Sequence, residues 1–130
     1  MIKPNEHEMR RLVDKPLVTV EDYRRAAAKL VEKGIRVVVV SLGEKGALFV
    51  TRGQAFHVLG IKTPVKSKVG AGDSLVGGFV LGLFKRMSLE KAASLGVAAS
   101  VSSVMREAPR LCRRQDIAGL LKKIRIRRLN

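Results

Sequence analysis

The chain has 130 residues, 46% of them hydrophobic, which suits one domain with a core of its own and argues against a disordered chain. Its longest apolar runs, VVVV at 37–40 and LVGGFVLGLF at 75–84, fall short of the roughly 18–20 residues a membrane span needs, and no charged-then-apolar leader opens it, so a cytoplasmic location is expected. With 26 Lys and Arg against 11 Asp and Glu, the formal net charge of +15 favours anionic partners: phosphates, nucleic acid or acidic membrane surfaces.

In chain order, EHEMRRLV (6–13) reads as a short helix, preceded by Asn5 and carrying Glu8 at the spacing of a capping box. VEDYRRAAAKLVEKG (20–34) reads as a longer helix with Gly34 as its stop. The period then changes: IRVVVVSL (35–42) is a continuous β-branched run, the mark of a strand buried on both faces in an α/β sheet. After a turn at Gly43-Glu44-Lys45-Gly46, ALFVT and QAFHVL are two short strands joined by Arg52-Gly53, a hairpin. IKTPV is a further extended piece, with Pro64 near its end.

KVGAGDSLVGGFVLGLF (68–84) follows. Gly70 and Gly72 permit a tight turn and leave amide N–H groups uncovered by any Cβ. Leu75, Val76, Phe79, Val80, Leu83 and Phe84 then recur at helical spacing, so the glycines sit at a helix N-terminus, and a helix is expected over 73–86. Unpaired donors and the positive end of the helix dipole converge there on one point, which makes an anion site. Asp73, taken as the first helical residue, could accept a proton from a hydroxyl attacking a bound phosphate. The structural alternative is that Asp73 is an N-cap and the glycines a turn. Gly77, Gly78 and Gly82 each cost about 1 kcal/mol against alanine inside a helix. The small residues Ala92, Gly96, Ala99, Ser100 and Ser103 on a second helix, 88–105, offer compensation by letting the two backbones approach.

A third helix is expected at 115–123. Residues 106–130 hold nine basic residues (Arg106, Arg110, Arg113, Arg114, Lys122, Lys123, Arg125, Arg127, Arg128) against Glu107 and Asp116. No aromatic is interleaved to stack a base, so a solvated surface is preferred over an RNA contact. Cys112, the single cysteine, can form no internal disulfide and is read as a packing residue. His57 and Tyr23 are given no chemical role.

Residues 68–82 resemble the second signature of the ribokinase-like (PfkB) family of carbohydrate kinases. IKPNEHEMRRLV is similar to the family's KPN-x-x-E segment, VVVVSLGEKGALFV to its nucleotide-binding strand and turn, LGVAAS (95–100) to its adenine-side helix, and RLCRRQD (110–116) to the C-terminal segment of the phosphofructokinase branch. The resemblance implies an α/β, three-layer ribokinase-like fold present only as its C-terminal portion: a partial sheet flanked by helices, with a β-hairpin. Family members run to about 300 residues, as ordinary α/β enzymes do. Residues 1–130 would then be the nucleotide-binding part, with the sugar-binding and lid half absent and the exposed edge inviting self-association or pairing with that half.

The same resemblance implies roles. Asp73 would be the general base, and the N–H groups of Gly70, Ala71, Gly72 and Asp73 the anion hole for the transferred phosphoryl group. Lys3 would lie near the ATP phosphates, and Asn5 and Glu8 would help hold Mg²⁺ through water, a role compatible with their capping box. Ser41, Leu42, Gly43, Glu44, Lys45 and Gly46 would contact the nucleotide, and Val97 and Val101 would wall the adenine, with ordinary core packing as their alternative. Lys66, Lys68, Arg106 and Ala108-Pro109 depart from the family pattern where a monovalent cation often sits, so no strong K⁺ dependence is expected. The expected activity of the parent protein is ATP-dependent phosphorylation of a sugar phosphate such as fructose 6-phosphate, fructose 1-phosphate or tagatose 6-phosphate. This chain alone is expected to be inactive. The alternatives are an ATP- or phosphate-binding fragment without turnover, or a basic nucleic-acid-binding domain.

Overall fold

The computed structural model describes residues 1–107 and 112–129. Two helices open the chain, α1 (Glu6–Val13) and α2 (Val20–Glu32). Each starts on a reciprocal capping box, Asn5 with Glu8 and Thr19 with Asp22, which satisfies two of the amide donors a helix start leaves over. Arg10 donates to the Tyr23 hydroxyl at 2.6 Å, and that hydroxyl donates to the Leu17 carbonyl at 3.2 Å, so the buried ring pins the connection between the helices.

Strand β1 (Val38–Ser41) begins three residues later than the apolar run at 35–42 suggests. The amides of Gly34 and Ile35 bond back to Val31 and Leu30, and that helix exit takes the donors an earlier strand would need. A single 3-10 turn (Gly43–Lys45) leads into β2 (Gly46–Val50) and β3 (Ala55–Leu59), the expected hairpin. Helices α3 (Ala71–Phe84), α4 (Leu89–Val104) and α5 (Arg114–Lys123) follow, and strand β4 (Ile126–Arg128) closes the sheet in the antiparallel order β1-β2-β3-β4. The last strand corrects the treatment of the basic C-terminus as surface only. Ile124 and Ile126 pack on the core while Arg125 and Arg127 alternate with them, a period of two. Arg128 pairs with Glu90 at 2.9 Å.

On the other side of β1, residues 2–5 run parallel to it. Ile2 bridges Val38 and Asn5 bridges Ser41, with the Val39 amide donating to Ile2 at 2.9 Å and the Ser41 amide to Pro4 at 3.0 Å. This carries Lys3 and Asn5 to the C-terminal end of β1.

Both faces of the sheet are covered, as the β-branched run requires. Val38, Val40, Leu48 and Val50 point to one face and pack with Met9, Tyr23, Ala27 and Val31 of α1 and α2. Val39, Phe49, Phe56 and Val58 point to the other and pack with Leu75, Phe79, Ala93 and Val97 of α3 and α4. Full burial of each such side chain contributes about 1.5–3 kcal/mol. Phe49 stacks on Phe56 with ring centroids 5.5 Å apart and tilts against Phe79 at 5.1 Å, which ties α3 to the hairpin.

The small-residue contact between α3 and α4 forms at Gly78, Gly82 and Gly96. Gly77 is the exception, facing open space. Helix α3 is apolar nearly all round, and its outer side leaves Val80, Leu81, Leu83 and Phe84 exposed, Phe84 at 84%. No helix among the described residues is long and apolar enough to cross a membrane.

Candidate functional site

The helix at the glycine turn starts two residues earlier than the spacing suggests. Gly70 is its N-cap in a left-handed conformation, φ 82°, which a side chain would resist, so Ala71 and Gly72 are already helical and Asp73 is the third helical residue. Asp73 is therefore not an N-cap. Its carboxylate is exposed and makes no hydrogen bond or ion pair among the described residues.

Gly70 supplies no side-chain cap. The Ala71 amide bonds to Lys68 at 3.3 Å, and the first regular helical bond runs from the Ser74 amide to Gly70 at 2.9 Å. The amides of Gly72 and Asp73, like that of Gly70 just before the helix, find no acceptor among the described residues. The anion hole expected of residues 70–73 is thus narrower, because one of its donors is occupied within the turn.

Lys3 faces these donors. A β-carbon built on Gly72 would lie 2.9 Å from Lys3 Nζ and 3.3 Å from Cε, so glycine at 72 makes room for the ammonium. An ammonium at the positive end of a helix is repelled by it. Free amides at the helix start and a nearby ammonium without a partner among the described residues are a charge arrangement that an anion relieves, and a phosphate group has oxygens for both kinds of donor.

Asn5 lies two residues further along, and Glu8 in the first turn of α1. Asn5 Oδ1 accepts from the Glu8 amide and Glu8 Oε2 from the Asn5 amide, each at 2.8 Å, so the capping box exists as expected. Glu8 Oε1 remains uncommitted among the described residues. No three His, Cys, Asp or Glu side chains converge among those residues. Such a donor set fits a magnesium ion that keeps most of its water and leans on phosphate oxygens, and it does not fit a protein-built cage.

Ser41 ends β1 beside Asn5, Leu42 is buried, and Gly43, Glu44 and Lys45 form the exposed turn that closes at Gly46. Lys3, Asn5, Ser41 and the glycine turn are thus brought to one end of the sheet. Val97 and Val101 are not part of that surface: both are buried in the cluster with Phe49 and Phe79, and packing accounts for them without a ligand.

Two features went unread in the sequence. His57 has a partner after all, the Lys45 carbonyl, 2.6 Å from Nε2. Only the hairpin register brings them together. Ser102 on α4 donates to Asp116 on α5 at 2.8 Å and accepts from the Arg113 amide, and the Arg106 guanidinium stands 3.8 Å from the same carboxylate. The Ala108-Pro109 departure and the first two residues of RLCRRQD lie outside the described residues. A groove of about 450 Å³ between α1 and α2, lined by Leu12, Leu17, Ala26, Leu30, Lys15 and Lys29 among others, contains none of these groups.

Comparison with known proteins matches the chain to one family. The sequence model of the pfkB family carbohydrate kinases matches residues 1–116. The chain is 41% identical over 119 residues to the ATP-dependent 6-phosphofructokinase isozyme 2 of Escherichia coli (strain K12), covering 89% of this chain and 38% of that protein. It is 33% identical over 129 residues to the 1-phosphofructokinase of Bacillus subtilis (strain 168), covering 99% and 42%. Among solved structures it superposes on phosphofructokinase-2 from Escherichia coli in complex with potassium with a TM-score of 0.87 at 38% identity, over 93% of this chain and 40% of that one. The chain therefore spans about two fifths of the length of the relatives it matches.

Proposed function

The chain belongs to the pfkB family of carbohydrate kinases, and we propose on that premise that residues 1–130 are the nucleotide-binding, C-terminal part of an ATP-dependent sugar-phosphate kinase. Its substrate class is fructose 6-phosphate or a close relative, in keeping with relatives named for 6-phosphofructokinase and 1-phosphofructokinase activity. The observation that carries this is the closeness of Lys3 Nζ to Gly72, at the helix start where the Gly72 and Asp73 amides have no acceptor among the described residues.

In this mechanism the two amides and the Lys3 ammonium bind the terminal phosphate of ATP and stabilise the charge that gathers on its oxygens during transfer. Asp73, exposed beside them, takes the proton from the attacking sugar hydroxyl. The Ser41–Gly46 backbone orients the nucleotide, and Asn5 with Glu8 holds the hydrated Mg²⁺. That ion, when bound, neutralises part of the triphosphate charge.

For the isolated chain, nucleotide or phosphate binding without turnover is the function to expect. The support is the exposed outer side of α3, at Val80, Leu81, Leu83 and Phe84, a large apolar face that further protein would cover. That cover is the remainder of a kinase fold or a second copy of the chain. A nucleic-acid role has weaker support, since Arg128 is paired with Glu90 and no aromatic is interleaved with the remaining basic side chains to stack a base.

Calorimetric titration of the chain with a non-hydrolysable ATP analogue and Mg²⁺ tests the binding step. Phosphoryl transfer to fructose 6-phosphate on adding the remaining portion of a family relative tests the rest. A chain that ignores the analogue but binds duplex nucleic acid in a steeply salt-dependent way points to the basic-domain alternative.

A further inference from the structure

His57 stands on β3 between Phe56 and Val58, which turn into the cluster with α3 and α4; its ring therefore lies on the opposite face, 4% exposed. Nε2 is 2.6 Å from the Lys45 carbonyl. A carbonyl only accepts, so the proton is on Nε2 and Nδ1 carries a bare lone pair. That lone pair is buried with no partner among the described residues. An apolar ring at position 57 would avoid this unmet acceptor but could not hold the carbonyl.

The Lys45 carbonyl receives a second donor, the Gly60 amide at 3.1 Å. The contact is tight enough that a β-carbon on Gly60 would run into the Glu44 carbonyl, and one on Gly46 into the Val58 carbonyl. The turn is thus pressed backbone to backbone onto the end of β3. It has no side-chain cap of its own, and its residues 43–45 are otherwise exposed. The turn is closed by the Leu42 amide on Gly46 and the Lys45 amide on Leu42, and the donors that hold its outer carbonyl, at Lys45, come from His57 on β3 and from Gly60 just after it.

We propose that His57 is the positioning residue of the nucleotide turn: its Nε2–H holds the Lys45 carbonyl and so fixes the Ser41–Gly46 backbone where it meets the nucleoside of ATP. The role rests on the nucleotide contact assigned to that turn above. It makes His57 specific to the nucleoside end of the ligand, because the phosphate donors belong to Lys3 and α3.

Three forms of the chain test this: wild type, His57→Phe, which lacks the donor, and His57→Gln, whose amide can donate in its place. Amide hydrogen exchange without ligand reads the turn directly. In His57→Phe the amides of residues 43–46 and 60 are expected to exchange about tenfold faster, the scale of one lost hydrogen bond. Affinity for the Mg²⁺-bound ATP analogue is expected to fall by about the same factor, affinity for tripolyphosphate to stay within about twofold, and His57→Gln to restore both readouts. Unchanged exchange in a cooperatively folded His57→Phe overturns the proposal, as does an equal loss of ATP analogue and tripolyphosphate. A wild-type chain that does not bind the analogue removes the nucleotide function itself, and the exchange result then decides the positioning role alone. Should the phenyl ring prevent folding, His57→Met, flexible and without a donor, takes its place.

Discussion

Gly82 of α3 meets Ala92 of α4 backbone to backbone: a β-carbon at 82 would stand 2.6 Å from Ala92 Cα. Neither atom belongs to a side chain that can swing away, so Gly82→Ala must part the helices. A loss of about 2 kcal/mol is expected, since overpacking outweighs the better helix propensity of alanine. Gly77, one turn and a fraction earlier, has nothing within 4 Å, and Gly77→Ala should stabilise by about 1 kcal/mol. Urea denaturation of the two variants checks both signs.

Lys3→Met should weaken tripolyphosphate binding by about tenfold or more, the worth of one charge-assisted hydrogen bond. Gly72→Ala should act in the same direction with little change in stability, because the added methyl meets only the flexible end of Lys3 and displaces the ammonium. Full binding by both variants, measured by calorimetry, would remove Lys3 from the phosphate site.

Asp73→Asn, assayed after adding the remaining portion of a family relative, should lower kcat by about 10²–10⁴-fold and leave the affinity for the ATP analogue nearly unchanged, because it removes a base and keeps the amides. A loss of less than about fivefold would leave Asp73 without the general-base role.

Burial pushes the His57 imidazole below its ordinary value; the bond to the Lys45 carbonyl opposes the shift and the charges of Arg127 and Lys45 add to it. As pH falls through about 6.5, the unfolded chain takes up a proton that the folded one refuses, so stability is present above that pH and declines below it until the folded-state value is reached. The denaturation midpoint should be lower at about pH 5.5 than at about pH 7.5, and His57→Gln should remove that part of the difference.

Exchanging Na⁺ for K⁺ at constant ionic strength should leave affinity for the ATP analogue unchanged. The Lys66 amide bonds to the Val104 carbonyl at 2.7 Å, which brings the Lys66–Lys68 segment to the end of α4, and its two ammonium groups disfavour another cation. The potassium-bound Escherichia coli phosphofructokinase-2 provides the control. A clear gain in affinity with K⁺ would overturn the expectation.

Much of the fold was legible because its signals were local. The change from helical to continuous β-branched periodicity at 35–42 located the strand covered on both faces, and the capping pair Asn5 and Glu8 located α1 to the residue. β4 was not read, because nine basic residues masked the alternation of Ile124 and Ile126 with Arg125 and Arg127, and a three-residue strand gains its stability only from β3. Within the site, the glycine turn was legible as a helix start, but its first helical residue was misplaced by two. Gly70 φ belongs to the folded backbone and leaves no trace in residue type beyond glycine itself. The meeting of His57 with Lys45, and of Lys3 with Gly72, depends on strand register and helix docking that no short window contains.

The Lys3–Gly72 contact also joins the two ends of the folding reaction. One partner is held by bonds to β1, the other by the docking of α3 on Phe49, and neither piece alone presents an anion with all its donors. Under the proposed function, ligand capture and completion of the native state form a single linked equilibrium. Inorganic phosphate is then expected to act as a chemical chaperone for this chain, and a lesion anywhere between sheet and α3 to be felt at the ligand.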